Sequence, residues 1–202
     1  KAWFLSEKFN HQIISHGGGL GGMYTQVLLV PELDMGVLIF TNQQNGPGLD
    51  ALESGILEIL LNDKAKTTYQ DYVAFNNKGT KGAEEAIDKL WQERNTTSKP
   101  SLALEQYAQS YVDPWYGEIK IIIEDNKLRF IPARSKGLKG TLKHYQHNTF
   151  VVEFDDRALM ADAYVNFVLS AEGKIKEIEM KAFDPRTDFS YDFHHLKLIP
   201  KS

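Results

Sequence analysis

The second half of the chain, from Ser101 onward, is a series of short segments in which apolar and polar residues alternate. Alternation with a period of two is typical of strands that are buried on one face, and it is clearest where Ile119 and Ile121 flank Lys120. Turn-type clusters such as Asp125-Asn126 separate these segments at intervals of roughly 8–12 residues, as in small all-β folds. The pattern predicts a closed or nearly closed antiparallel barrel, or a sandwich, over residues 101–202.

Two details of this half can be predicted further. Ile175 is out of phase with Ile178 and Met180, which predicts a β-bulge in that strand. The last strand is predicted to run through three alternating aromatic residues, Phe189, Tyr191 and Phe193.

The first 62 residues combine four predicted strands with one amphipathic helix. The strands are predicted over residues 3–9, 12–15, 23–30 and 36–41. A helix is predicted from Pro47, a residue suited to the first helical turn, to about Asn62. The segment Gly36–Thr41 is apolar on both faces, so we expect it to be central in its sheet. We expect this unit to be the end of a larger domain, with one apolar face of its sheet left bare.

Residues 63–100 differ in character and predict a helical connector. A helix is predicted over residues 69–76, an interruption over Lys78–Gly82, and a second helix over residues 83–94.

Composition excludes several classes of function. The formal net charge of −4 argues against a nucleic-acid partner. The chain has no cysteine, which removes disulfides, thiolate catalysis and cysteine-based zinc sites. Apolar runs are strand-sized rather than the 18 or so residues that a membrane helix needs.

A cluster of glycines marks the best candidate for a functional site. His16 precedes five glycines within six positions, of which Gly17, Gly18 and Gly19 are consecutive. Glycine in a strand suggests close approach of a ligand or another chain, although a flexible hairpin is an alternative interpretation. The cluster lies between strands instead of opening a helix, so it is not a dinucleotide site, and we expect no cofactor.

The N-terminal residues resemble the end of a known enzyme family. Trp3-Phe4, His16-Gly17-Gly18-Gly19, Val30-Pro31-Glu32 and Gly36–Asn42 are similar to the C-terminal end of β-lactamase-related serine hydrolases. That family includes class C β-lactamases, penicillin-binding proteins and related esterases, and it carries a Ser-x-x-Lys box, a tyrosine box, and Lys-Thr-Gly or its His-x-Gly version. His16-Gly17-Gly18 matches the third box.

The resemblance implies a role for each residue of this box. His16 would be the polar partner in the active site, and the Gly19 N–H would be one oxyanion donor, which makes these two the catalytic candidates. Gly17 and Gly18 would border the substrate. The Ser-x-x-Lys and tyrosine boxes are absent from the 202 residues, so the resemblance implies that this chain alone is inactive.

A second resemblance covers residues 102–198. It is carried by three segments, Pro114–Gly117, Asp125–Leu128 and Gly140–Tyr145. They are similar to an uncharacterised β domain that commonly follows β-lactamase-related domains, and that has no established catalytic role.

One further pair of residues could suggest a metal site. His194 and His195 are adjacent, and neighbours in a strand point to opposite faces. We therefore predict no metal site.

Together these observations predict an α+β chain with three parts. Residues 1–66 are interpreted as the C-terminal fragment of a β-lactamase-related domain, residues 67–100 as the helical connector, and residues 101–202 as a lipocalin-like antiparallel barrel. The leading hypothesis is the C-terminal portion of a serine hydrolase acting on a β-lactam, a peptide or an ester. The alternatives are a barrel that binds or regulates, and a barrel that braces the enzyme.

The expected partners and location follow from the same resemblance. We expect the N-terminal catalytic part of the same protein, a small apolar ligand in the barrel, and self-association through the exposed sheet face. The resemblance implies a periplasmic or secreted location.

Overall fold

The computed structural model describes residues 3–20, 22–43, 45–62, 69–188 and 190–201. The chain forms two compact units, Lys1–Lys81 and Gly82–Ser202. The described residues are mostly β, with a four-stranded sheet in the first unit and an eight-stranded sheet in the second.

The first unit is built on an antiparallel sheet whose strands follow one another in chain order. They are Phe4–Lys8 (β1), His11–Leu20 (β2), Met23–Val30 (β3) and Met35–Thr41 (β4). The first hairpin turns at Phe9 and Asn10, which both have positive φ (53° and 60°), as a two-residue type I′ turn requires. The four predicted strands are confirmed, but the glycines after His16 extend the second one to Leu20.

One face of this sheet is covered by the helix Gly46–Leu61 (α1). The Asn45 side chain accepts a hydrogen bond from the Gly48 N–H at 2.9 Å and so caps the first turn. The helix buries Leu57 against three side chains of the sheet, Ile13, Leu28 and Val30.

The opposite face of the sheet is apolar and exposed. Register places Leu38 and Phe40 of β4 on the face that carries Val27 and Thr25, away from α1. Large apolar side chains that are about half or more exposed lie on this face: Trp3, Leu5, Leu20, Met23, Leu38 and Phe40.

The prediction that Gly36–Thr41 is a central strand was wrong. The order β1-β2-β3-β4 places β4 at an edge of the described sheet. Its residues are apolar on both faces because one face packs under α1 and the other belongs to the exposed apolar face. The Phe40 side chain is 73% exposed.

A single helix, Tyr69–Gln92 (α2), replaces the two predicted helices. The predicted interruption was wrong, although glycine costs a helix about 1 kcal/mol relative to alanine. In the second unit the helix is held by Ile87, Leu90 and Trp91, which pack on Tyr145, Val151 and Phe183. Residues 63–68 of the predicted connector lie outside the described residues.

The second unit is an up-and-down antiparallel sheet preceded by the short helix Leu104–Tyr107 (α3). Its strands are Ser110–Asp113 (β5), Gly117–Glu124 (β6), Lys127–Pro132 (β7), Gly140–Gln146 (β8), Thr149–Phe154 (β9), Ala163–Leu169 (β10), Ile175–Ala182 (β11) and Ile199–Pro200 (β12). Their order is β11-β10-β9-β8-β7-β6-β5-β12. The backbone N–H of Ile178 in β11 donates to the Leu198 carbonyl at 2.8 Å, so the two ends of the sheet meet and nearly close a barrel.

Buried aromatic and branched side chains fill the barrel. Tyr107 and Tyr111 are fully buried, and the Tyr107 hydroxyl donates to Asn148 Oδ1 at 2.6 Å. The Tyr111 hydroxyl donates to the Tyr107 carbonyl at 3.0 Å, and burial raises the pKa of Tyr111 well above its ordinary value. Both phenols therefore stay neutral donors inside the core.

Of two detailed predictions for this unit, the β-bulge is confirmed and the last strand was wrong. The bulge is confirmed, because Leu169 pairs with Ile175 whereas Val168 pairs with Glu177. The strand predicted through Phe193 was wrong, because residues Phe193–His195 form a turn of 3₁₀ helix. Phe189 lies outside the described residues.

None of the helices in the described ranges is long and apolar enough to cross a membrane.

Candidate functional site

The glycines after His16 have two different environments because strand residues alternate between faces. His16 pairs with Val27, and Gly18 pairs with Thr25, so these residues belong to the exposed apolar face. The next glycine, Gly19, faces the side of α1 instead. The His16 side chain is exposed and projects from the face that α1 does not cover.

Gly17 and Gly19 are glycine for a packing reason on the helix side. A β-carbon on Gly19 would lie 2.6 Å from Cε1 of Tyr24, and one on Gly17 would lie 2.5 Å from Oε1 of Gln26. Gln26 in turn donates to Glu53 Oε2 of α1 at 3.1 Å. The bare backbone at these two positions therefore makes room for side chains of β3.

The direction of the Gly19 backbone follows from the hydrogen bonds of its partner. The Tyr24 N–H donates to Thr41 Oγ1 at 3.2 Å, and Thr41 Oγ1 donates back to the Tyr24 carbonyl at 3.0 Å. Tyr24 thus directs its backbone groups to β4, away from β2. In an antiparallel pair, two opposed residues direct their N–H and carbonyl groups either toward each other or away from each other. Gly19 pairs with Tyr24, so it directs its N–H and carbonyl away from β3.

On that side of β2 the glycines have no partner strand among the described residues. β1 pairs with β2 from Lys8↔His11 to Phe4↔Ser15, and no described strand continues this pairing toward Gly19. Among the described residues the Gly19 N–H therefore has no strand partner on that side, and an extended chain or a carbonyl oxygen could accept from it.

His16 follows Ser15, the last residue of β2 in a described pair with β1. Its ring lies 5.9 Å from the Trp3 ring in a T-shaped arrangement and 6.3 Å from the Phe4 ring. A shallow depression of about 380 Å³ is lined by Trp3, His16, Gly17, Gly18, Thr25 and Val27. The surface combines an imidazole, a backbone donor and apolar contacts, but the 202 residues contain no Ser-x-x-Lys box to supply the nucleophile.

A second concave site lies within the barrel unit. A cavity of about 270 Å³ is lined by Tyr116, Ile119, Phe130, Pro132, Ser135, Leu138, Phe154, Met180, Ser190, Tyr191, Asp192, Phe193 and Leu196. Most of its lining is apolar or aromatic, and Asp192 supplies a carboxylate. Pockets of this character suit small apolar ligands.

Sequence reasoning missed a cluster of potential metal ligands beside this cavity. His194 and His195 follow Asp192 in a 3₁₀ turn, and their ring centroids lie 4.0 Å apart. The prediction that the two imidazoles point to opposite faces was wrong because it assumed a strand. The short spacing of Asp192 and the two histidines is the signal that could have found this cluster.

A family model matches residues 93–200, which contain α3 and all eight strands of the barrel. It describes a domain of unknown function, DUF3471. The chain belongs to the DUF3471 family. The cavity and the Asp192 cluster lie within the DUF3471 domain, whereas His16 and the glycines lie outside the matched residues.

Three solved structures are similar to the chain at low identity. The C-terminal domain of penicillin binding protein Rv0907 is 16% identical, with 54% of this chain and 94% of that chain covered and a TM-score of 0.40. SurE is 13% identical, with 98% and 36% covered and a TM-score of 0.38. The octameric penicillin-binding protein homologue from Pyrococcus abyssi is 12% identical, with 98% and 35% covered and a TM-score of 0.29.

The chain thus spans little more than a third of SurE and of the Pyrococcus abyssi protein. No curated protein sequence matches it.

Proposed function

We propose that this chain is the C-terminal portion of a β-lactamase-related serine hydrolase that acts by acyl transfer. The Gly19 N–H, which points away from β3 on the same strand as the exposed His16, is the observation that carries the proposal. In this role the N–H donates to the oxyanion of the tetrahedral intermediate. The imidazole of His16 contacts the substrate and the proton-transfer groups, while Gly17 and Gly18 border the substrate.

The nucleophilic serine comes from the N-terminal catalytic part of the same protein. That part covers the exposed apolar face of the sheet, which explains why Leu38 and Phe40 are apolar although exposed. The substrate class is a β-lactam, a peptide or an ester, and the location is periplasmic or secreted.

Activity of the isolated chain is the first test. The 202-residue chain is expected to hydrolyse neither a chromogenic β-lactam nor a p-nitrophenyl ester, because it lacks the Ser-x-x-Lys box that supplies the nucleophile in this family. Hydrolysis by the purified chain would refute the proposal.

The second test is the variant His16→Ala in the full-length protein. Loss of a positioned polar group is expected to lower kcat on the order of 10²-fold. His11→Ala is the matched control, because His11 lies on the same strand but contacts Glu32 at 2.9 Å, away from the glycines. An unchanged kcat for His16→Ala would remove this residue from the mechanism.

The barrel supports a second function that does not require catalysis. The cavity beside Leu138 and Tyr191 favours a DUF3471 domain that binds a small apolar ligand. A neutral fluorescent probe, N-phenyl-1-naphthylamine, is expected to bind there with increased emission. Leu138→Trp is expected to fill the cavity and abolish binding, whereas Ile122→Trp on the outside of β6 is expected to preserve it.

A barrel that only braces the hydrolase is the remaining alternative. It predicts that the probe does not bind, and that deletion of residues 101–202 lowers the stability of the full-length protein without changing kcat.

A further inference from the structure

The loop before β12 holds three side chains of types that can ligate a metal ion, Asp192, His194 and His195, on a short 3₁₀ turn. His195 N–H donates to the Asp192 carbonyl at 2.9 Å, and Leu196 N–H donates to the Phe193 carbonyl at 3.2 Å. The next residue, Lys197, donates its N–H to Asp113 Oδ2 at 2.7 Å. Backbone hydrogen bonds therefore fix the turn on both sides.

Phe193 anchors this turn in the barrel core. Its side chain is 6% exposed and stacks on Phe154 and Tyr191, with ring centroids 6.3 Å and 5.6 Å apart. Because Phe193 points inward, its neighbours Asp192 and His194 are held at the surface of the barrel in a defined arrangement.

The ligand atoms of Asp192, His194 and His195 are already close together. One atom from each residue lies within 4.8 Å of the other two, and His195 Nδ1 lies 3.5 Å from Asp192 Oδ1. Tetrahedral zinc with bonds of about 2.0–2.1 Å places neighbouring ligand atoms about 3.3–3.4 Å apart. Small side-chain rotations are sufficient to reach this geometry.

We propose that Asp192, His194 and His195 bind a divalent transition-metal ion of the zinc class. Two imidazoles and one carboxylate favour zinc, copper or nickel over calcium and magnesium, which prefer oxygen ligands. The second carboxylate oxygen of Asp192 lies 3.4 Å from the Tyr116 hydroxyl, which can donate to it and orient the carboxylate. Asp192 does not cap the turn with its side chain and is available as a ligand.

Three protein ligands would leave a fourth position open. Asp192 also lines the 270 Å³ cavity, so an ion bound to its carboxylate would be next to an apolar cavity. A small ligand with an apolar body and a metal-binding head, such as a carboxylate, matches both features. This inference concerns the DUF3471 domain alone and does not depend on the proposed hydrolase function.

Zinc titration of the tag-free, chelator-treated chain tests the proposal by calorimetry. One equivalent of Zn²⁺ is expected to bind per chain. His194→Ala, His195→Ala and Asp192→Asn are each expected to weaken binding at least about tenfold, since even second-shell changes cost 10–100-fold. His144→Ala and His147→Ala are the matched controls, because these histidines lie elsewhere on the barrel, where His144 Nε2 is 2.9 Å from the backbone carbonyl oxygen of His147.

Electron paramagnetic resonance of bound Cu²⁺ gives an independent count of the imidazole ligands. Coupling to two nitrogens is expected in the native chain and to one in either alanine variant. Circular dichroism establishes that each variant remains folded. Absence of stoichiometric Zn²⁺ binding, or affinity unchanged by His194→Ala and His195→Ala, would overturn the proposal.

Discussion

Gly140 of β8 lies so close to Val152 of β9 that a β-carbon on Gly140 would be 2.7 Å from Cγ2 of Val152. The same β-carbon would also overlap the Glu153 carbonyl oxygen, which is backbone and cannot rotate away. Gly140 therefore permits β8 and β9 to approach closely at this point.

Gly140→Ala is expected to lower the free energy of unfolding by about 1–3 kcal/mol, the usual cost of overpacking. Gly137→Ala is the matched control, since nothing lies within 4 Å of a β-carbon there. Denaturant unfolding of the two variants measures the difference, and equal stabilities would contradict the prediction.

Asp113 is expected to make the stability of the barrel depend on pH. Its side chain is 4% exposed. Burial raises its pKa, but hydrogen bonds from the N–H groups of Tyr116, Lys197 and Trp115 outweigh burial and lower the pKa below its ordinary value of 3.8. A lowered pKa in the folded state means that the ionised carboxylate stabilises the fold.

This contribution is present above pH 3.8 and is lost as the pH falls through the lowered folded-state pKa. Asp113→Ala is expected to cost about 2–4 kcal/mol near pH 7, because it leaves buried N–H groups unpaired. Asp113→Asn is expected to be less stable than the native protein near pH 7 and to approach its stability only toward pH 2. Unfolding measured from pH 7 to pH 2 checks this, with the exposed turn variant Asp125→Asn as control.

The backbone donor of Gly19 can be removed selectively. Gly19→Pro removes the N–H, while Gly19→Ala adds the same β-carbon against Tyr24 and keeps the N–H. Because this N–H points away from β3, proline removes no hydrogen bond of the β2–β3 ladder. In the full-length protein, kcat for Gly19→Pro is expected to be about 10²–10³-fold below that for Gly19→Ala, as for loss of an oxyanion donor.

Two equal kcat values would exclude the Gly19 N–H from catalysis. Circular dichroism and thermal unfolding of both variants separate this result from a loss of folding.

Self-association is expected for the isolated chain. Leu38 and Phe40 are 60% and 73% exposed on the apolar face of the sheet, and apolar patches of this kind drive association. Light scattering is expected to show dimers or larger species that the double variant Leu38→Lys, Phe40→Lys reduces to monomer. A monomeric native chain at high concentration would contradict this prediction.

Local patterns predicted the regular parts of the barrel because turns and alternation are encoded over a few residues. Asp125 and Asn126 both adopt positive φ (50° and 58°), as their residue types favour, and β6 and β7 follow on either side. The out-of-phase Ile175 likewise predicted the bulge.

The wrong predictions concern features that depend on distant contacts. The apolar residues Leu38 and Phe40 are compatible with a central strand and with an edge strand. Only the pairing of β4 with its neighbours distinguishes these two positions. Gly79 and Gly82 break a helix by propensity, yet α2 continues through them. In the sequence, Phe193 is as compatible with a place in an alternating strand as with its actual place as a buried residue of a 3₁₀ turn.

The candidate site was only partly predictable for a related reason. The motif identified His16 and Gly19, but the direction of the Gly19 N–H depends on which pairs of β2 and β3 exchange hydrogen bonds. The contact between Tyr24 and Thr41 sets this choice, and Thr41 is more than twenty residues from Gly19 in the sequence. Asp192 was missed because its closeness to His195 depends on the turn.

The pairing of Ile199 with Val112 joins the last strand of the barrel to its first. The two residues are separated by nearly the whole domain in sequence, so a long loop must close before their contact can stabilise the fold. Folding that depends on such contacts is slow. During synthesis on the ribosome, β5 can pair with β6 early, but its other neighbour, β12, is made only when almost the entire domain has been synthesised. During that time its edge is open, and the order of synthesis rather than the hydrophobic core decides when the barrel becomes protected from aggregation.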